Sequence, residues 1–199
     1  MPLVSPRHGG TPAGPREPRR AGVRPMAERP RGGGPRKRSG DRLTVRRCEA
    51  GDAAYEFVHP RCSRRRREDL EEVEAMLAAG EAEIARDELV WLLSECPDFL
   101  EAHVCLGLIA LEEDDPRLAR GHFGRAYELG LRALESAGNP SPLPYDLPGN
   151  KPWHEAAKGL LHCLLATGRK KLAADVCRRA TALDPADRLG LASLLAAGP

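Results

Sequence analysis

The chain holds 199 residues, 41% hydrophobic and 30% charged, with a formal net charge of +2 at pH 7. That balance conceals an asymmetry: residues 1–67 carry 18 Arg and Lys against 6 Asp and Glu, while residues 68–199 carry 13 against 23. An acidic globular part behind a basic arm is therefore expected, and no run approaches the ~18 apolar residues that a membrane span needs.

Residues 1–40 are rich in Pro, Gly and Arg and hold almost no large apolar side chain. They cannot bury enough surface to offset their ordering entropy, so a disordered arm is expected. Neither the apolar run of a secretory signal nor the amphipathic pattern of a transit peptide is visible, which predicts a cytoplasmic protein. Arginine outnumbers lysine 26 to 5, as a GC-rich coding sequence produces without selection for charge, and Met26 is a second candidate start.

Residues 41–63 hold two short β-rich runs, Leu43 to Cys48 and Ala54 to His59, around a Gly51-Asp52 turn. The pattern predicts a hairpin, which alone is marginal in water and must pack on the rest or bind something. Cys48, His59 and Cys62 hint at a metal, but zinc needs four ligands and only three can be counted. A hairpin end docked on the first helix is the favoured reading, with no metal and no cofactor. The six cysteines show no short spacing and read as small buried hydrophobes.

A helical domain is expected over 64–199. The arginines Arg64, Arg65, Arg66 and Arg67 read as a solvated segment outside a helix that starts with Glu68 and Asp69, acids that suit its dipole. Leu70, Val73, Met76 and Leu77 form that helix's apolar face, and Gly80 stops it. A second helix runs from Glu81 to Ser94, ahead of Pro97. The central pair lies between Leu100 and Gly130, split at Asp115 and Pro116, which fit the N-cap and first turn of its second helix. Four prolines between Ala137 and Asn150 exclude a helix there. A last pair follows, Trp153 to Thr167 and Arg169 to Leu183, then a short capping helix within 187–197. Trp153 reads as an anchor at a helix start.

The second helices repeat. Ala85, Leu89, Leu92 and Pro97 share their spacing with Ala173, Cys177, Ala180 and Pro185, and the central copy has Ala119, Phe123 and Ala126. Ala85 and Ala119 are 34 residues apart; Ala119 and Ala173 are 54 apart, which is one further period plus an insertion of 20 at the proline-rich loop. With Leu106 and Gly107 in the central first helix, this period resembles the tetratricopeptide repeat. His103 and Ala110 stand where that family often has Trp and Tyr, Leu131 replaces its closing Pro, and Val73 and Leu161 occupy the Gly position of the outer copies. The resemblance implies a mainly α fold, an α-solenoid of about three hairpins, and an adaptor that binds a peptide or protein surface in the groove lined by each first helix.

In that register the groove residues are Glu101, Val104, Leu108 and Leu111 of the central helix and Lys158, His162 and Leu165 of the last. An apolar or helical ligand is the expected partner. Nothing points to catalysis: the histidines are scattered singly, and no glycine loop that could cradle phosphate precedes a helix. The competing readings are a nucleic-acid contact through Arg36, Lys37 and Arg38 with Arg64 to Arg67, supplying a salt-dependent phosphate term, and a small metal site at the hairpin.

Overall fold

The computed structural model describes residues 42–48 and 53–198. The expected disordered arm, with Arg36, Lys37 and Arg38, lies outside them, as does the tip of the hairpin. Among the described residues there are eight helices and one two-stranded antiparallel sheet.

Strand β1 (Thr44–Arg47) pairs with β2 (Tyr55–Val58), placing Val45 opposite Phe57 and Arg46 opposite Glu56. The last two form a cross-strand ion pair at 2.8 Å. The helices are α1 (Arg61–Arg65), α2 (Arg67–Ala78), α3 (Ala82–Glu95), α4 (Leu100–Glu112), α5 (Pro116–Ser136), α6 (Lys151–Ala166), α7 (Lys170–Leu183) and α8 (Leu191–Ala197). Their ends follow local chemistry. Gly80 and Gly168 adopt positive φ at the turns after α2 and α6, where a side chain would be strained. Asp115 caps α5, its Oδ1 accepting from the amides of Arg117 and Leu118 at 3.1 and 3.0 Å.

Arg64, Arg65 and Arg67 do not stay outside the helices. Pro60 starts α1, its carbonyl accepting from the Arg64 amide at 3.2 Å, and a break at Arg66 leads directly into α2. Arginine is a good helix former, and the run supplies four consecutive such residues. The helical region thus begins three residues earlier than expected.

Each of α2 to α7 packs on the next helix in the chain; α4 also packs on α6, and α6 on α8. Small residues make the close approaches possible, since Ala85, Ala119 and Ala173 are completely buried. Phe123 of α5 lies between two glycines on neighbouring helices. A Cβ added to Gly107 of α4 would come within 2.7 Å of its ring, and one added to Gly159 of α6 within 2.6 Å. The repeat alignment put Leu161 at the glycine position of the last copy; Leu161 is fully buried, and Gly159 is the residue that meets the ring.

Two apolar clusters result. One joins α2 and α3 to Ala102, Leu106 and Ile109 of α4; the other joins Leu100, Val104 and Ala110 of α4 to α5, α6, α7, α8 and the hairpin. Helix α4 is apolar on nearly every side because it belongs to both.

The hairpin is not a separate segment. Phe57 is buried in the larger cluster with its ring centroid 5.9 Å from that of Trp153, and β1 packs on α5. Trp153 is itself fully buried at the start of α6, stacked on Tyr127 at 5.2 Å and donating from Nε1 to the Tyr127 carbonyl at 3.0 Å. Gly130 makes room for its indole, which any Cβ there would strike.

The proline-rich loop runs beneath β2. Its Pro142 carbonyl accepts from the Tyr55 amide at 2.9 Å, and Leu143, fully buried, donates its amide to the Leu183 carbonyl at 2.7 Å. Asn150 completes the join: Oδ1 accepts from the Phe57 amide at 2.9 Å, while Nδ2 donates to the carbonyls of Tyr55 at 3.0 Å and Pro144 at 2.9 Å. A buried amide has few neutral ways to satisfy both ends, and here the loop and the strand edge do so together.

Two cysteines differ from the sequence expectation. Cys62 of α1 is joined by a disulfide to Cys96 at the end of α3, with Cα atoms 5.7 Å apart. The two are 34 residues apart in the sequence. Cys48 and Cys105 are half-buried thiols and Cys163 and Cys177 buried ones.

Candidate functional site

Residues of α4 and α6 line one hollow of the helical body. Val104, Leu108 and Leu111 recur at three- and four-residue steps, so they project from one face of α4. Lys158 and His162 do the same on α6. All five line one concavity of about 410 Å³, with Phe123 and Gly159 in its floor, Leu189 and Leu194 at the α8 end, and Tyr145 and Glu155 on the remaining wall. Leu108 is half exposed, an apolar side chain left open in a mostly apolar hollow.

The loop therefore contributes an edge to this groove. Tyr145 donates its hydroxyl to Glu155 Oε1 at 3.2 Å. Burial raises the Glu155 pKa, and the charge of Glu101 adds to the rise, against the Tyr145 hydrogen bond and Lys151.

Two of the seven expected groove residues lie elsewhere. Leu165 is buried in the larger apolar cluster, because α6 turns that side toward its neighbours. Glu101, at the start of the same α4 face, is covered by the hairpin end, where its Oε2 lies 3.2 Å from His59 Nδ1. Glu101 lines a second concavity, also of about 410 Å³, bounded by Arg46, Glu56, Phe57, His59, Arg64, Arg67 and Phe99 among others.

His59 is held from both sides. Its Nε2 donates to the Gly149 carbonyl at 2.8 Å, and Gly149 is required there because a Cβ would strike the Phe57 carbonyl. Burial disfavours charge on His59, but Glu101, the Gly149 carbonyl and Glu56 outweigh it and raise the pKa. Glu56 is lowered: burial opposes its charge, and Arg46 and the Gly149 amide prevail. The His59–Glu101 approach lacks hydrogen-bond alignment, so His59 Nδ1 and Glu101 Oε2 are both buried without a hydrogen-bond partner.

The metal reading at Cys48, His59 and Cys62 fails on geometry. Cys62 is consumed by the disulfide, and no group of three or more His, Cys, Asp or Glu among the described residues could hold a metal ion. Of the nucleic-acid candidates that are described, Arg66 pairs with Asp69 at 3.1 Å and lies over the Trp91 ring at 4.4 Å, and Arg67 pairs with Glu71 at 3.2 Å. Arg64 and Arg65 are exposed. Among the described residues no helix is long and apolar enough to cross a membrane.

No signal in the sequence marked His59 and Gly149 as partners, 90 residues apart. Helical spacing puts Val104, Leu108 and Leu111 on one face of α4, whereas their pairing with Lys158 and His162 was expected from the repeat register. Neither a protein-family description, nor a curated protein, nor a solved structure matches this chain.

Proposed function

We propose that this chain is a protein-interaction module, a tetratricopeptide-like stack of three helical hairpins, α2–α3, α4–α5 and α6–α7, closed by α8. Support for the repeat lies in the buried alanines at period-related positions, in the packing of α4 on α6, and in the glycine contacts that let those helices approach. The reading of the site rests on one observation: residues from two first helices, Val104, Leu108 and Leu111 with Lys158 and His162, line a single apolar concavity. Its size and composition are those of a ligand site. The occupant is an apolar or helical segment of another protein, and the module has no catalytic role of its own.

The test is co-purification from lysate of the source cells with the full chain and with Leu108→Glu and Leu111→Glu, each checked for helicity by circular dichroism. One protein retained by the parent chain and lost by both folded variants supports the groove. Equal retention by all three removes it.

A further inference from the structure

A third hollow, of about 430 Å³, opens on another side of α6. Leu160 and Leu164, about half a turn away from Lys158 and His162 on that helix, form its floor, and α5 and α7 form its walls. Tyr127 and Leu131 of α5 and Leu172 and Val176 of α7 make the walls apolar. Leu172 is half exposed. An open apolar hollow with a charged rim has the make-up of a contact surface.

The two walls run in the same direction. Arg120 reaches the Thr167 hydroxyl, Gly124 lies by Leu160, and the Tyr127 carbonyl holds the Trp153 indole, so α5 is antiparallel to α6. The chain turns back at Gly168, which makes α7 antiparallel to α6 as well.

Four charged side chains line the hollow, two of each sign: Arg120 and Glu128 on α5, Asp175 and Arg179 on α7. Their order along the helices carries the argument. Arg120 and Glu128 stand four residues to either side of Gly124, and Asp175 and Arg179 stand two residues to either side of Cys177. A rotation of 180° about an axis crossing both helices at these midpoints places Arg120 against Glu128 of a second copy, and Asp175 against its Arg179. Each contact then occurs twice, as an isologous interface requires. The midpoints also lie level: the alignment that sets Ala119 beside Ala173 sets Phe123 beside Cys177, one residue from Gly124, or about 1.5 Å along the axis.

Present partners leave these groups available. Glu128 pairs with Arg132 at 3.4 Å and Asp175 with Arg178 at 2.7 Å, all four side chains being exposed, and such pairs contribute little and exchange readily. Gly124 stands at the crossing point. A Cβ there would meet only Leu160 Cδ1, at 3.9 Å, so nothing within the chain requires a glycine, while its bare backbone lets two copies of α5 approach closely.

Charge also favours a second copy over a different protein. Residues 68–199 carry 13 basic and 23 acidic side chains, so two such bodies repel over most of their surface, and a basic partner is drawn to the acidic faces. The lining of this hollow is neutral, and across the two-fold its charges attract.

We propose that this hollow is the contact between two copies of the chain, a two-fold dimer with α5 against α5 and α7 against α7, each pair antiparallel. It is separate from the α4–α6 groove and does not depend on what that groove holds.

Sedimentation equilibrium of the full chain at rising concentration tests the proposal, with circular dichroism confirming the fold of each variant. The parent chain should dimerise. Leu172→Glu should be monomeric, and Leu108→Glu, in the α4–α6 groove, should dimerise as the parent does. A residue on a two-fold axis meets itself, so Gly124→Glu and Gly124→Lys should each weaken the dimer by about tenfold or more through like-charge repulsion, and an equimolar mixture of the two should pair again. A parent chain that is monomeric at every concentration overturns the dimer and leaves the hollow to a different protein. A dimer that survives Leu172→Glu, or that Leu108→Glu dissociates, places the contact elsewhere and overturns it too. Gly124 variants that change nothing, or that weaken the dimer without recovery in the mixture, overturn the two-fold arrangement.

Discussion

Glycine in a helix interior ordinarily weakens it, and replacing one by alanine stabilises by up to about 1 kcal/mol. Gly107→Ala should do the opposite. The new methyl would sit 2.7 Å from Phe123 Cε1 and Cζ, and the ring has little room to retreat, because it is packed so closely on α6 that a Cβ added at Gly159 would come within 2.6 Å of it. Overpacking of this kind costs about 1–3 kcal/mol, which exceeds the gain in propensity, so a net loss of about 1 kcal/mol is expected. Gly121 provides the control, since it lies in α5 with nothing within 4 Å of an added Cβ. Gly121→Ala should gain about 0.5–1 kcal/mol. Urea unfolding followed by helical circular dichroism measures both, and a Gly107→Ala, Phe123→Leu double variant should recover part of the loss because the smaller side chain relieves the contact. A Gly107→Ala protein as stable as Gly121→Ala would refute the account of how α4, α5 and α6 come together.

Asn150→Ala leaves the Phe57 amide and the Tyr55 carbonyl without their side-chain partners and should cost about 3 kcal/mol, with faster amide exchange at Phe57 by NMR as its local signature. Cys96→Ser opens a loop of 34 residues and should lower stability by about 3–4 kcal/mol under non-reducing conditions; equal midpoints for parent and variant in denaturant would refute the bond's role. His103 is depressed to about 4, chiefly by burial, with His122 and Arg125 adding to the effect and the Pro97 carbonyl and Asp98 opposing it. A histidine kept neutral by the fold contributes stability that is present above the unfolded value of about 6.5 and is lost as pH falls through about 4, a difference of about 3 kcal/mol. His103→Gln should flatten stability between pH 6.5 and 4 relative to the parent chain.

Helix positions were legible wherever a local signal existed: Gly80, Asp115 with Pro116, the four prolines of the loop, and Gly168 all act within a few residues of themselves. Five of the seven expected groove residues share one hollow: a period puts three of them on one face of α4, and the repeat register supplied the two on α6. Glu101 and Leu165 went elsewhere because periodicity says which residues share a face but not what covers its ends. The hairpin covers one, and the packed core takes the other. The Asn150 junction and the His59–Gly149 contact join residues 90 or more apart, and no pattern within a segment announces such meetings. The disulfide joins cysteines 34 residues apart, and as isolated cysteines at apolar positions they gave no sign of pairing. Arg64 to Arg67 were misread for a different reason: charge suggested solvent, whereas arginine's helix propensity and the start at Pro60 decided the local structure.

Stacked helical arrays are usually linear in the sense that each unit knows only its neighbours, and their stability is close to a sum of such neighbouring terms. The hairpin of this molecule makes contacts of a different kind. The segment that comes first in the described chain bypasses α2 and α3 to bond the loop before α6 and to bury Phe57 against Trp153. The sequence of contacts thus closes into a ring, with α2 and α3 held inside it. Units cannot be peeled from the amino-terminal end one at a time, and a shortened chain beginning at α2 loses part of the α6 packing as well as the hairpin itself. The spacing of α4 from α6 is thus braced from the far side of the loop, and the fold itself sets it.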